Sequence, residues 1–415
     1  MATSLGPFKF IEPAAGFKAV LVPENFTASC GVNMIGAGFS VDWGDGNPIV
    51  YASNDAPSVV PTGNITVTSE FATYFRALTN TYTGVTITGG GQLTAGGSML
   101  DGLAKVTSLA IDSLANITAF NNTFRGMSGL TSFPIIDISS ATRVDGTWQN
   151  CTGLTSFPNY VFPATCTNFS RTWQSCTGLT SFPNLNLASG TLFINTWRSC
   201  TGLTSFPAIS FTSAITISGT WASCSGLTSF SAITVPAATN FRQAWQLCTG
   251  LTSFPSLTFN TGVTTFEETW QLCGGLTSFP ALDMHGASCL ETWDRCDGIT
   301  AFPAVDLSGV TNLQLAFSQC AFTSFAPTNM GSCTNFIGTF QLNTSLSSLG
   351  NLATESGTQF GSMFNGCSGL TSIGAIDTTA TLAASANMFN GTSSLTSPDA
   401  ATQILIASAS GYDFN

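Results

Sequence analysis

From residue 100 onward the apolar positions of this chain recur about every 24 residues. "RTWQSCTGLTSFPNL" spans Arg171 to Leu185, and "NTWRSCTGLTSFPAI" begins at Asn195. An aromatic residue anchors each unit: Phe124, Trp148, Trp173, Trp197, Trp221, Trp245, Trp270, Trp293, Phe317, Phe340, Phe364 and Phe389. A weaker unit precedes them, with Leu100, Leu103, Val106 and Leu109 in the same register, which makes thirteen. An apolar residue lies four before the anchor, as at Phe169, Phe193 and Ile217. Three after it comes Cys151, Cys176, Cys200, Cys224, Cys248, Cys273, Cys296, Cys320 or Cys367. Leu follows at six (Leu154, Leu179) and Phe at nine (Phe157, Phe182), often with Pro next, then alternating residues such as Leu185 and Leu187.

The first three apolar positions fit one face of a short helix or 3-10 turn. The "TG" or "SG" after Cys is expected to end it, because glycine accepts a left-handed cap. "LTSF" and the alternating pair read as a short strand, in which the Pro, lacking an amide donor, interrupts the ladder. Such a unit cannot bury both faces alone, so neighbours must stack. The expected fold is a repeat solenoid, leucine-rich-repeat-like, with short parallel strands and short helices or 3-10 turns. Thirteen coils at strand spacing give a rod on the order of 60 Å long.

The flanks follow other patterns. Residues 1–20 are punctuated by Gly and Pro and read as an N-terminal arm. Residues 21–88 alternate ("FSVDWGDG", "NITVTSEF", "GVTITGG") and read as a small β-sandwich-like domain. The solenoid occupies 89–397. Residues 398–415, opening with Pro-Asp, read as a C-terminal capping helix and tail.

Composition narrows the function. Only 7% of residues are charged, while 43% are hydrophobic, the reverse of a disordered chain. The net charge of −11 is thinly spread and the ten Lys and Arg form no cluster, which argues against a nucleic-acid surface. No run approaches the roughly 18 apolar residues of a membrane span, so no membrane insertion is expected. The start, "MATSLGPFKFIEPAAGFKAV", has no basic stretch followed by an apolar run, so export by a Sec signal is not expected.

The repeat resembles the leucine-rich-like units of BspA-type bacterial surface proteins and the related DUF285 repeats, most closely in "MFNGCSGLTSIGAI" (Met363 to Ile376). "VDWGDG" at Val41 to Gly46 resembles the turn of the PKD-like module that opens many such chains. The resemblance covers roughly residues 39–397; Trp at the anchor of seven central units departs from it. It implies either adhesion at a cell surface or a place in a phage tail or virion.

Candidate chemistry reads mostly as architecture. Zinc needs ligands converging on one ion, whereas thiols at one repeat offset run parallel along a rod. Parallel Cβ vectors are also poor disulfide geometry, so the cysteines are expected as free buried thiols. The Trp side chains are expected in the core, with each indole N–H bonded to a carbonyl. Thr-Ser pairs such as Thr155/Ser156 and Thr180/Ser181 are expected to face solvent and bond backbone; a flat Thr array could instead order water as in ice-binding proteins. Asp42 and Asp45 are the metal candidates, for calcium, though Asx-type turn bonds suit them better. The single histidine, His285, lies four before Cys289, a Cys–His pair only in form. Glu267 and Glu268, being adjacent, are expected to point apart.

The expected protein is therefore non-enzymatic and without cofactors: a structural and interaction protein, foremost a phage virion appendage such as a tail or capsid fibre. Its N-terminal region would dock on other virion proteins and its rod would meet a host-surface glycan or protein. The sequence sets no oligomeric state: a homotrimer would suit a fibre, but no heptad or collagen-like segment supports it. The alternative is a BspA-like adhesin on the bacterial cell surface; an ice-binding protein and a solenoid glycan hydrolase rank below both. Function is expected in what varies between copies, such as Arg171, Arg198, Asn184 and Asn186.

Overall fold

The computed structural model describes residues 16–23, 30–36, 39–52, 55, 57–61, 63–69, 72–78, 82–88, 90–284, 287–325, 329–377 and 386–398. They form short strands and turns in several small sheets. Among the described residues the one helical piece is the 3-10 turn Gly90–Gln92. Residues 1–15 of the expected arm (1–20) and 399–415 of the expected capping helix and tail (398–415) lie outside the described residues.

Alternation builds the N-terminal domain. In β1 (Phe17–Pro23), Phe17, Ala19 and Leu21 are buried, while Lys18 and Val22 face out. β1 pairs antiparallel with both β6 (Ile65–Ser69) and β8 (Tyr82–Thr88), so residues 17–20 belong to the middle of a sheet and not to an arm. With β3 (Phe39–Asp42), β4 (Ile49–Tyr51) and β9 (Ser108–Ile111) the sheet order is β4-β3-β6-β1-β8-β9. A second sheet holds β5 (Ser58–Val59), β2 (Cys30–Gly36) and β7 (Ala72–Ala77). Phe17 and Phe75, with ring centroids 5.3 Å apart, join the two.

The pair β8–β9 is parallel, with Val85 opposite Leu109 and Ile87 opposite Ile111. β9 belongs to the first, weak repeat. The boundary read at residues 88 and 89 is thus crossed by a hydrogen-bonded ladder, which covers the sheet edge that would otherwise start the repeats.

Each repeat then pairs with the next at the same internal position, always in parallel. One ladder runs Arg143, Asn168, Leu192, Thr216, Asn240, Thr265 and onward to Gln359. A second joins Ser205–Phe206 to Ser229–Phe230 and, farther on, Ala301–Phe302 to Ser324–Phe325. A third joins Ser210 to Thr234, Asp283 to Asp306, and Leu352–Ala353 to Ile376–Asp377. The second ladder stops at Phe206, before Pro207; where Ser231 replaces Pro, its amide donates to Phe206 O at 3.3 Å.

The expected helical segment is a different structure. In the unit of Trp173 the amides of Phe169, Arg171, Trp173 and Ser175 donate to Leu192, Ile194, Thr196 and Arg198 of the next unit, at 2.8–2.9 Å. The alternate amides of Thr172, Gln174 and Cys176 donate back to Phe169, Arg171 and Trp173 at 3.2 Å, and Ser170 N donates to Asn168 Oδ1 at 3.0 Å. Every amide of the run has a partner, half along the stack and half within linked turns. Arg171 (φ 57°) and Ser175 (φ 59°) are left-handed, and equivalent residues recur in the other units. Helices need 8–10 Å between axes, but these runs carry indoles only 5.2–5.8 Å apart. Direct pairing of the runs keeps both sides of the stack near strand spacing, which helices could not.

Glycine also plays another part than expected. Gly178 has no left-handed φ; a Cβ there would lie 2.5 Å from Thr152 O and 2.7 Å from Leu154 O. Its role is close approach of one coil to the next.

Candidate interaction faces

The seven Trp side chains form a buried stack. Trp173 lies 5.8 Å from Trp148 and 5.3 Å from Trp197, within 7° of parallel, with Phe182 edge-on at 4.9 Å. Contrary to expectation, none of their indole N–H groups has a hydrogen-bond partner. The nearby carbonyls are already engaged: Trp173 O accepts from Cys176 N at 3.2 Å and from Cys200 Sγ at 3.0 Å.

That second bond gives the cysteines more than a packing role. Each ladder thiol donates to the carbonyl of the anchor residue one unit back, from Cys151 to Phe124 and Cys176 to Trp148 through Cys320 to Trp293 and Cys367 to Phe340, at 2.9–3.2 Å. Asn343, in the same place, uses its Nδ2 on Phe317 O at 2.7 Å. The position thus selects a small donor. The twelve cysteines from Cys151 to Cys367 are free and buried. Burial pushes Cys151, Cys224 and Cys273 up to about 12 and raises Cys176, Cys200, Cys248 and Cys296 well above the usual thiol range. Since the thiolate is the nucleophile and the metal ligand, this ladder is held in its inert form. Cys289 is likewise buried and raised; His285 lies outside the described residues.

Two sets of threonines complete the bonding. Thr147, Thr172, Thr196 and Thr220, just before the anchors, are fully buried, and Thr220 Oγ1 donates to Phe193 O of the preceding unit at 2.6 Å. Their fixed spacing was visible in the sequence, but a polar residue inside the stripe gave no sign of burial. The outer threonines behave as expected: Thr180 and Thr204 donate to Thr155 O and Thr180 O at 3.4 and 3.3 Å. With their serines they leave an exposed, uncharged hydroxyl row along the stack.

The carboxylates serve turns and arginines. Asp42 Oδ1 accepts from Gly44 N at 2.8 Å and Gly46 N at 3.1 Å, and Asp45 Oδ1 from Asn47 N at 2.9 Å. Glu267 and Glu268 do not point apart. Both reach Arg242, at 3.9 and 3.0 Å, because left-handed Glu268 (φ 55°) breaks the alternation of an extended chain. Gln243 and Gln246 also donate to Glu268, and Gln271 donates to Glu291 and Asp294. Burial raises the Glu291 and Asp294 carboxyls, and for Glu291 the charges of Asp294 and Glu268 add to it.

Of the variable residues, Arg171 lines a cleft with Arg143, Asp145, Asn168 and Asn195 on the turn runs. Arg143 Nε is 2.6 Å from Asp145 Oδ1, which also accepts from Asn121. Asn184 and Asn186 are exposed at another corner, in a cleft with Asn159 and Val161.

These features define a protein of repeated parallel ladders, with its thiols and indoles inside and hydroxyls, amides and ion pairs outside. The chain matches no family model, no curated protein and no solved structure. Among the described residues no helix is long and apolar enough to cross a membrane.

Proposed function

We propose that this chain is a non-enzymatic structural and interaction protein: a leucine-rich-like solenoid set on a PKD-like β domain, serving as a phage virion appendage. One observation carries the reading. The side chains able to do chemistry, nine ladder thiols and seven indoles, are spent on coil-to-coil bonding and packing, so the constant part of each repeat is a scaffold. What varies faces outward, as binding surfaces on rigid scaffolds do. The continuity of β8 with β9 makes the N-terminal domain and the stack one bonded body, suited to docking at one end and displaying at the other. The uncharged hydroxyl row is the face offered to a host-surface glycan or protein.

The test is mass spectrometry of purified virions from the producing strain. The chain should co-purify with tail or capsid proteins. Its absence there, with surface labelling of intact producer cells, would replace this reading with the adhesin.

A further inference from the structure

Charge is not spread evenly around the coils. All six arginines after Lys105 lie in or beside the turn runs: Arg125, Arg143, Arg171, Arg198, Arg242 and Arg295. They are also unequal along the stack. Arg143, Arg171 and Arg198 stand in three consecutive units with Asp145 as the one acid among them. Three to four units on, Glu267, Glu268, Glu291 and Asp294 outnumber Arg242 and Arg295.

Between the two stretches the run is uncharged and small in the Trp221 unit, with Ser218, Gly219 and Ser223. The Trp245 unit beside it offers longer side chains, Arg242, Gln243 and Leu247. Two exposed isoleucines stand nearby, Ile194 at 38% and Ile215 at 52%. A centre of small residues beside long ones, flanked by opposite charges, is the layout of a self-complementary surface.

We propose that two copies associate side by side and antiparallel through their turn runs, about a two-fold axis between the Trp221 and Trp245 units. Arg198 of each copy then faces Glu267 and Glu268 of the other, and Arg171 faces Glu291, behind which lies the buried Asp294. The small residues of the Trp221 unit receive the long side chains of the Trp245 unit. The crowded, partly buried acids, four against Arg242 and Arg295 of their own chain, gain further cations. The assembly is a dimer, not the trimer that would suit a fibre, and it leaves the hydroxyl row free. It stands apart from the virion reading.

Sedimentation equilibrium of the full chain tests it. The wild type should dimerise at about 50 mM salt and dissociate progressively toward about 500 mM, as screening removes the pairing. Arg171→Glu with Arg198→Glu, and separately Glu267→Arg with Glu291→Arg, should each weaken the dimer roughly a hundredfold or more by setting like charges face to face. Both variants should keep the wild-type circular dichroism spectrum. Mixed together they should dimerise more tightly than either variant alone, since one half of the mixed pair keeps its wild-type contacts and the other sets the two introduced glutamates against the two introduced arginines. A wild type that stays monomeric at low salt, a trimer, or a mixture that stays monomeric would each overturn the proposal. Salt dependence of the unmodified chain decides the matter even if a variant fails to fold.

Discussion

Replacing Cys224 by alanine should destabilise the protein at neutral pH and stop doing so near pH 10. Cys224 is fully buried, and its Sγ donates to Trp197 O at 3.1 Å. Removing one buried apolar heavy atom costs about 0.8 kcal/mol, and the weak thiol hydrogen bond adds about 0.5. The carbonyl keeps its backbone donor, Cys200 N, so no acceptor is orphaned. The penalty at about pH 7 is therefore about 1–2 kcal/mol. Burial, the larger effect, raises this thiol from 9.0 to about 12, against a smaller opposing hydrogen bond from Cys200. An acid raised on folding loses its proton first in the unfolded chain. Its stabilising share is complete below 9.0 and drains away as pH climbs from there toward about 12. One unit above the unfolded value the loss is about 1.4 kcal/mol. The wild type pays that loss at Cys224 and the alanine variant does not, so the two should become equally stable near pH 10. Urea unfolding followed by Trp fluorescence, with a phosphine reductant present, measures both at each pH. A penalty that stays constant from neutral pH to about pH 10 would refute the buried neutral thiol.

Three further substitutions probe the packing, each read by the same unfolding assay. Gly178→Ala should cost about 3 kcal/mol, because the new Cβ meets the backbone oxygens of Thr152 and Leu154 at 2.5 and 2.7 Å; a neutral effect would mean the coils are not that close. Ser175→Gly should stabilise by about 0.5–1 kcal/mol, since Ser175 holds φ 59° where serine is strained and glycine is not; destabilisation would argue against the left-handed turn. Trp221→Phe should cost under about 1 kcal/mol, because losing contact area is offset by removing a buried N–H without an acceptor, whereas Trp221→Ala should cost about 4; a Phe variant that costs more than about 2 would mean the indole N–H is paired.

The sequence made the repeat, its register and its interior legible because burial alone sets the spacing of Trp173, Cys176, Leu179 and Phe182. It did not reveal what the backbone does between them. A spacing of four and then three residues satisfies a helix face and a run of linked turns equally well. The choice falls to amides that pair with the next coil, such as Trp173 N to Thr196 O, and hydrophobic pattern carries no trace of those bonds. The left-handed residues were hidden for a related reason. Their places are filled by Asn122, Ser199, Leu247 or Glu268 as readily as by Gly146, so no glycine signature marks them. The proposed dimer face rests on arginine positions that mean little until the turn runs are set side by side.

The most direct test of coil stacking is a series of electron–electron distances along the outer threonine row. Spin labels on a non-natural amino acid at Thr131, paired with Thr204, Thr277 or Thr371, span three, six and ten coils. Stacking at strand spacing requires about 15, 30 and 50 Å, growing by about 5 Å per coil. Distances that fail to grow in proportion to the number of coils would contradict the stack.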